Sequence, residues 1–95
     1  MEFKDRGTED IFDGNPSKAA RRTLPTELHV AATELLDSLG AATTLGDLAA
    51  ISGAYFEKLK GDRKGQYSLR INKYYRVCFN WTDDGALDVE ITDYH

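Results

Sequence analysis

The sequence predicts an α+β domain, with N-terminal helices packed on one face of a small antiparallel β-sheet. Three features predict it. Leu28, Ala31, Ala32, Leu35, Leu36 and Leu39 recur at spacings of three and four, which is one helical stripe. After about residue 54 the apolar period changes to two, the period of half-buried strands. The strands so marked are joined by short polar connections, including Asp83-Asp84-Gly85, a strong hairpin signal. Helices first and strands after is the order of an α+β domain with one open sheet face. A chain of 95 residues supports one such domain, residues 1–95, with a modest core.

The elements follow in order. Residues Met1 to Lys4 suit a short strand. Thr8 ahead of "EDIF" reads as the cap of a short helix that Gly14 closes. "NPSKAARRT" reads as a connector. Pro25 suits the first turn of the striped helix and Gly40 its C-terminal stop. "TTLGDLAA" adds a short helix capped by Thr44 or Thr43. "YFEKLK" is a strand and "GDRKG" a loop. Three alternating segments follow. Tyr67, Leu69 and Ile71 stand against Ser68 and Arg70. Val77, Phe79 and Trp81 stand against Arg76, Cys78 and Asn80. Leu87, Val89 and Ile91 stand against Asp88, Glu90 and Thr92.

Composition narrows the function classes. Charged residues at 29% against 41% hydrophobic give a globular rather than a disordered balance. The start, "MEFKDRGTED", has no apolar segment of the kind a secretory signal needs, and no run approaches a membrane span. A lone cysteine, Cys78, excludes an intrachain disulfide framework, and a cytoplasmic protein with no membrane partner is the simplest expectation. Net charge is −4, but Lys58, Lys60, Arg63, Lys64, Arg70, Lys73 and Arg76 fall in one stretch with a single acid, Asp62. That strip carries +6 and leaves −10 for the remainder. A local basic field can hold a phosphate backbone even on an acidic protein, although the same lysines and arginines can equally be a solvated face.

His29, His95 and Cys78 show no metal-ligand spacing, so no metal or other cofactor is expected. Cys78 lies mid-strand and reads as a buried structural thiol. "GDRKG" is no Walker loop. What remains is a polar set on the meander: Glu57, Lys58, Lys60, Arg63, Arg70, Arg76, Asp93, Tyr94 and His95. Cleavage of RNA by its own 2′-OH needs such groups: a base, cations for the phosphorane and an acid for the departing 5′ oxygen. Tyrosines can stack on unpaired bases. A purely structural account stays open beside this one, with Arg76 paired to Glu90 or Asp88 across the hairpin and the last residues capping the sheet.

"LKGDRKGQYSLRINKYYRVCF" followed by "VEITDYH" resembles the HigB-type, or killer-like, toxins of the RelE superfamily. The L-x-G-x-R-x-G, S-L-x-I and Y-R-V-x-F spacings and the closing D-Y-H carry the likeness. "IFDG" and "LDSLGAATTLGDL" extend it over essentially the whole chain. The resemblance implies a RelE-like fold and a toxin of a type II toxin–antitoxin module. It implies ribosome-dependent cleavage of mRNA in the A site, metal-independent and inhibitory to translation. The implied partners are the 70S ribosome with its mRNA and a HigA-type helix-turn-helix antitoxin, with operator DNA reached only through that antitoxin.

Residue by residue, the resemblance implies phosphate binding and transition-state stabilisation by Arg76 and phosphate contact by Lys60. It implies proton transfer by His95, with Asp93 orienting it or sharing the transfer, and Tyr94 positioning the substrate. Some members have histidine where this chain has Glu57, so the general base is Glu57 or His95. Lys58, Arg63, Lys64, Arg70 and Lys73 are expected to hold RNA or ribosome. Strict alternation, however, puts Asp93 and His95 on the face of Val89 and Ile91, opposite Arg76, unless the chain curls after Thr92 or a bulge re-aims it. Two alternatives remain: a non-catalytic ribosome- or antitoxin-binding member of the same fold, and an interaction module that works through its acidic exterior.

Overall fold

The computed structural model describes residues 1–51 and 55–93. Four helices come first: α1 (Arg6–Asp13), α2 (Lys18–Thr23), α3 (His29–Ala41) and α4 (Leu45–Ala49), with a 3₁₀ turn at Thr26–Leu28 leading into α3. The sheet follows with β1 (Glu57–Lys58), a 3₁₀ turn at Gly61–Arg63, β2 (Gln66–Arg70), β3 (Tyr75–Thr82) and β4 (Gly85–Asp93). The strands lie in the order β1-β2-β3-β4, every pair antiparallel, as the meander requires.

The helix starts correct the sequence reading in two places. Asp5, not Thr8, caps α1: its carboxylate accepts the Thr8 N–H at 2.8 Å. Aspartate caps at least as well as threonine, and here it stands three residues earlier. Thr8 is instead fully buried, and its hydroxyl accepts the N–H of Ile91 at 3.0 Å, tying α1 to the last strand. "NPSKAARRT" is not a plain connector, because Ser17 accepts from Ala20 N–H at 3.0 Å and starts α2. Gly7 lets α1 and α2 touch, since a Cβ there would lie 1.8 Å from Thr23 Oγ1 and 2.7 Å from the Ala19 carbonyl. Gly14, at φ 74°, closes α1 as expected.

Further along, α3 runs one residue past Gly40, and Ala31 is exposed rather than part of the buried stripe. His29 is half-buried and donates through Nε2 to the Leu24 carbonyl at 2.8 Å. Thr44 and Asp47 form a reciprocal capping box that starts α4.

Ala32, Leu36 and Leu39 of α3, Ile11, Ala20, Leu24 and Leu48 meet Leu69, Val77, Phe79, Ala86, Val89 and Ile91 of the sheet in one core. Residues at the N-terminus run beside β4: Glu2 and Lys4 donate backbone N–H groups to Ala86 and Val89 carbonyls, and Val89 N–H returns to Glu2. The expected first strand is therefore reduced to one parallel bridge, Phe3 with Val89. A bulge in β4 explains a second departure. Cys78 faces Glu90 while Asn80 faces Leu87, so two residues, Asp88 and Val89, oppose Phe79. Asp88 takes φ 52° and accepts from Asn80 Nδ2 at 3.1 Å. The extra residue turns Leu87 onto the face of Asn80 and puts Ala86 in the core, against the expected Leu87–Val89–Ile91 alternation.

Candidate active site on the open face of the sheet

The register lays the outward residues out in transverse rows. Glu57 of β1 pairs with Ser68, Ser68 with Cys78, and Cys78 with Glu90. One row along, Arg70 faces Arg76 and Arg76 faces Thr92. Like charges set directly opposite repel, so Arg70 and Arg76 together form a strongly positive spot.

At the β1 side of these rows lies a cleft of about 300 Å³ lined by Glu57, Lys58, Leu59, Lys60, Arg63 and Arg76. Five residues singled out from the sequence are thus brought together, although Lys58 and Arg76 lie far apart in the chain. The edge of β1 and the turn behind it do the positioning. Leu59 N–H donates to the Gln66 carbonyl at 2.9 Å, extending the β1–β2 pairing to the turn. The Lys60 carbonyl accepts from Arg63 N–H at 3.3 Å, closing the Gly61–Arg63 turn. Four cations and one carboxylate line the cleft, a donor set for a phosphodiester.

Arg63 is held across the sheet. Its Nη1 donates to Glu90 Oε1 at 2.7 Å and to Gln66 Oε1 at 3.1 Å. Glu90 also faces the Lys4 ammonium at 3.5 Å. The bond to Glu90 pushes the Arg63 pKa further up, so the guanidinium stays charged. Cys78, the cross-strand partner of Glu90, is fully buried on this face, as is its other neighbour Ser68. Burial pushes its thiol pKa up, against the lowering effect of Arg76 and Arg63. The expectation of a buried structural cysteine fits this setting. Glu90 takes Arg63 and Lys4 rather than Arg76, and Asp88 takes Asn80.

The remaining candidates lie elsewhere. Asp93 pairs with Tyr75, on the opposite face from Arg76, and lines a second cavity of about 430 Å³ with Pro25, Glu27, Leu28, Asn72, Tyr74 and Tyr75. The bulge at Asp88 precedes Val89 and leaves Asp93 where alternation puts it. Arg70 holds its guanidinium 4.3 Å from the Tyr55 ring centre, and Lys73 lies 5.0 Å from that of Tyr74. Lys64 is exposed beyond the turn. Tyr94 and His95 lie outside the described residues. Sequence reasoning missed Glu90 as the anchor of Arg63 and gave no role to Lys4. Their alternation and charge were visible, but nothing local links positions 27 residues apart.

The backbone defines a class first. It is similar to a chain of the YoeB–YefM complex from Staphylococcus aureus, with a TM-score of 0.59, covering 100% of this chain and 95% of that one. At 20% identity the likeness concerns the fold alone, an α+β fold with an antiparallel sheet. A family model described as the RelE-like toxin of type II toxin–antitoxin system HigB matches residues 1–95, and the chain belongs to that family. Toxin HigB-1 of Vibrio cholerae serotype O1 is 36% identical over 88 residues, covering 93% of this chain and 90% of that protein. The Endoribonuclease HigB of Proteus vulgaris is 26% identical over 93 residues, covering 98% and 96%.

Proposed function

We propose that this toxin is a ribosome-dependent endoribonuclease that cuts mRNA in the A site and so stops translation. The observation that carries the reading is the cleft of Glu57, Lys58, Lys60, Arg63 and Arg76 on the open sheet face. Membership of the HigB toxin family supports it, as does the activity in the name of the Proteus vulgaris relative.

The chemistry assigned to the cleft is transfer within the RNA. A base takes the 2′-OH proton, the 2′ oxygen attacks phosphorus, and the bond to the 5′ oxygen breaks. The products are a 2′,3′-cyclic phosphate and a 5′-hydroxyl. Arg76 and Lys60 hold the phosphate and stabilise the charge that grows on it. Glu57 is a carboxylate within the same cleft and serves as base. His95 is assigned as the acid and Tyr94 to positioning the substrate, roles that require the chain to curl round the sheet end after Asp93; Asp93, which lies on the face opposite Arg76, is assigned to orienting His95 from that side. Lys58, Lys64, Arg70 and Lys73 are assigned to RNA or ribosome contact, and Arg63 to the same surface from its anchored position. The partner that neutralises the toxin is assigned as a HigA-type helix-turn-helix antitoxin, which also links it to operator DNA. The site of action is the cytoplasm, where the ribosomes are. No helix among the described residues is long and apolar enough to cross a membrane.

Primer extension on an mRNA translated in a cell-free system tests the proposal. Wild-type protein should give discrete 5′ ends within codons, dependent on translation. Arg76→Ala and removal of His95 should abolish them. Inhibited translation without new ends would replace the nuclease with a ribosome-blocking binder.

A further inference from the structure

Two non-glycine residues among those described have a positive φ, Asp88 at 52° and Tyr55 at 45°. The bulge and the Asn80 hydrogen bond account for Asp88. Tyr55 carries a bulky ring at such an angle just ahead of β1. A bulky residue in the left-handed region is strained and persists only where its surroundings fix it. Tyr55 is also 66% exposed, so core packing does not fix it. Its neighbour Phe56 does pack, stacked on Tyr67 with ring centres 5.3 Å apart. Among the described residues, Tyr55 meets the Arg70 guanidinium, 4.3 Å from the ring centre.

The strand pairing brings Arg70 beside the residues that lead into β1: Glu57 pairs with Ser68, and Arg70 ends β2 two residues further on, while Tyr55 itself stands just ahead of β1. Arg70 in turn faces Arg76, which lines the cleft. Arg70 thus stands between the Tyr55 ring, which its guanidinium meets, and Arg76, its cross-strand partner. One intervening side chain is a separation that a single nucleotide can bridge from its phosphate to its base.

We infer that Tyr55, backed by Arg70, is a stacking platform for one unpaired nucleobase of the RNA whose phosphate lies on Arg76. The inference rests on the nuclease reading for its substrate and adds a binding subsite to it. One ring face meets the guanidinium, and the two-thirds exposure leaves the rest of the ring open to a base. Aromatic rings bind any base in this way, and a guanidinium on the other face strengthens the stack. The cationic row makes a nucleic acid the fitting ligand, because a stacked base brings its own phosphate to Arg70 and Arg76.

The test measures the toxin concentration needed for half-maximal mRNA cleavage during cell-free translation. Tyr55→Ala should raise it about tenfold, within the range seen when a stacking aromatic is removed. Tyr55→Phe and Tyr55→Trp should restore it. Tyr55→Asn, which tolerates the left-handed backbone but has no ring, should be as weak as Tyr55→Ala. A Tyr55→Asn protein as active as wild type, or Phe and Trp variants as weak as Ala while melting at the wild-type temperature, would overturn the platform. An abasic mRNA position that weakens wild type but not Tyr55→Ala identifies the stacked base as one of the mRNA. A Tyr55→Ala defect insensitive to every abasic position would overturn the platform for a base of the cleaved RNA. Should wild-type protein cleave nothing, the nuclease reading fails by itself. The platform is then decided by quenching of 2-aminopurine in a single-stranded RNA oligonucleotide: stronger with wild type than with Tyr55→Ala if Tyr55 stacks, equal if it does not.

Discussion

The two faces of the sheet are built from the same strands on opposite principles. The inner face is closed by apolar packing: Leu69, Val77, Phe79 and Val89 are fully buried under α1, α3 and α4. The outer face is organised by charge, with Arg70 against Arg76 and Arg63 reaching over to Glu90. Stability and proposed function are thereby assigned to alternate residues of one strand. Along β3, Val77 and Phe79 hold the core, while Arg76 lines the cleft and Asn80 anchors the bulge. Substitutions one residue apart should therefore fail in different ways.

The largest effect is expected on the inner face. Phe79→Ala removes a fully buried ring that stacks near Tyr67 at 6.2 Å. It should cost about 3–5 kcal/mol, much of the stability of a small domain. Urea unfolding would show the midpoint collapse, and a loss under 1 kcal/mol would mean the inner face is not the core.

On the outer face, Arg76→Ala should lower the cleavage rate about 10²–10³-fold, the usual loss when a transition-state donor is removed. Its urea midpoint should stay close to wild type. Equal losses of stability and activity would erase the division between the faces.

Much of this division was legible in the sequence. The period of two, the helical stripe, the Thr44 cap and the turn at Asp83-Asp84-Gly85 each depend on neighbours within a few residues, and all are present. The cationic cleft was legible because Glu57 to Arg63 is nearly continuous and Arg76 follows by simple alternation. What was not legible depends on distant partners. Thr8 reads as a cap until Ile91 is seen to donate to it across 83 residues of chain. Leu87 reads as core until the bulge at Asp88 shifts the register. Helix α2 has six residues, too few to show a period.

Thr8 joins the two layers, so it tests the comparison from between them. Thr8→Val keeps the shape but leaves the buried Ile91 N–H without its acceptor. A loss of about 1–3 kcal/mol is expected. Hydrogen exchange at Ile91 should quicken with it, and unchanged exchange would mean that N–H finds another acceptor.

The smallest effect sharpens the comparison most, because it concerns a buried group on the charged face. Cys78 is as inaccessible as Phe79, yet its cover includes the polar pair of Arg63 and Glu90. Apolar cover opens only when the core does, whereas a partly exposed ion pair contributes about 1 kcal/mol or less. Arg63→Ala should therefore leave global unfolding nearly unchanged and quicken labelling of Cys78 by a thiol reagent roughly fivefold, the rate equivalent of that energy. Burial is the largest influence on the thiol and raises its pKa, while the nearby arginines lower it. Losing one arginine removes a lowering charge, but loosening the cover relieves the larger raising effect. The labelling rate should thus begin its rise with pH at a lower value in Arg63→Ala than in wild type, since the thiolate is the reacting form. A rise displaced to higher pH instead would mean that the charge of Arg63, not its cover, governs the thiol.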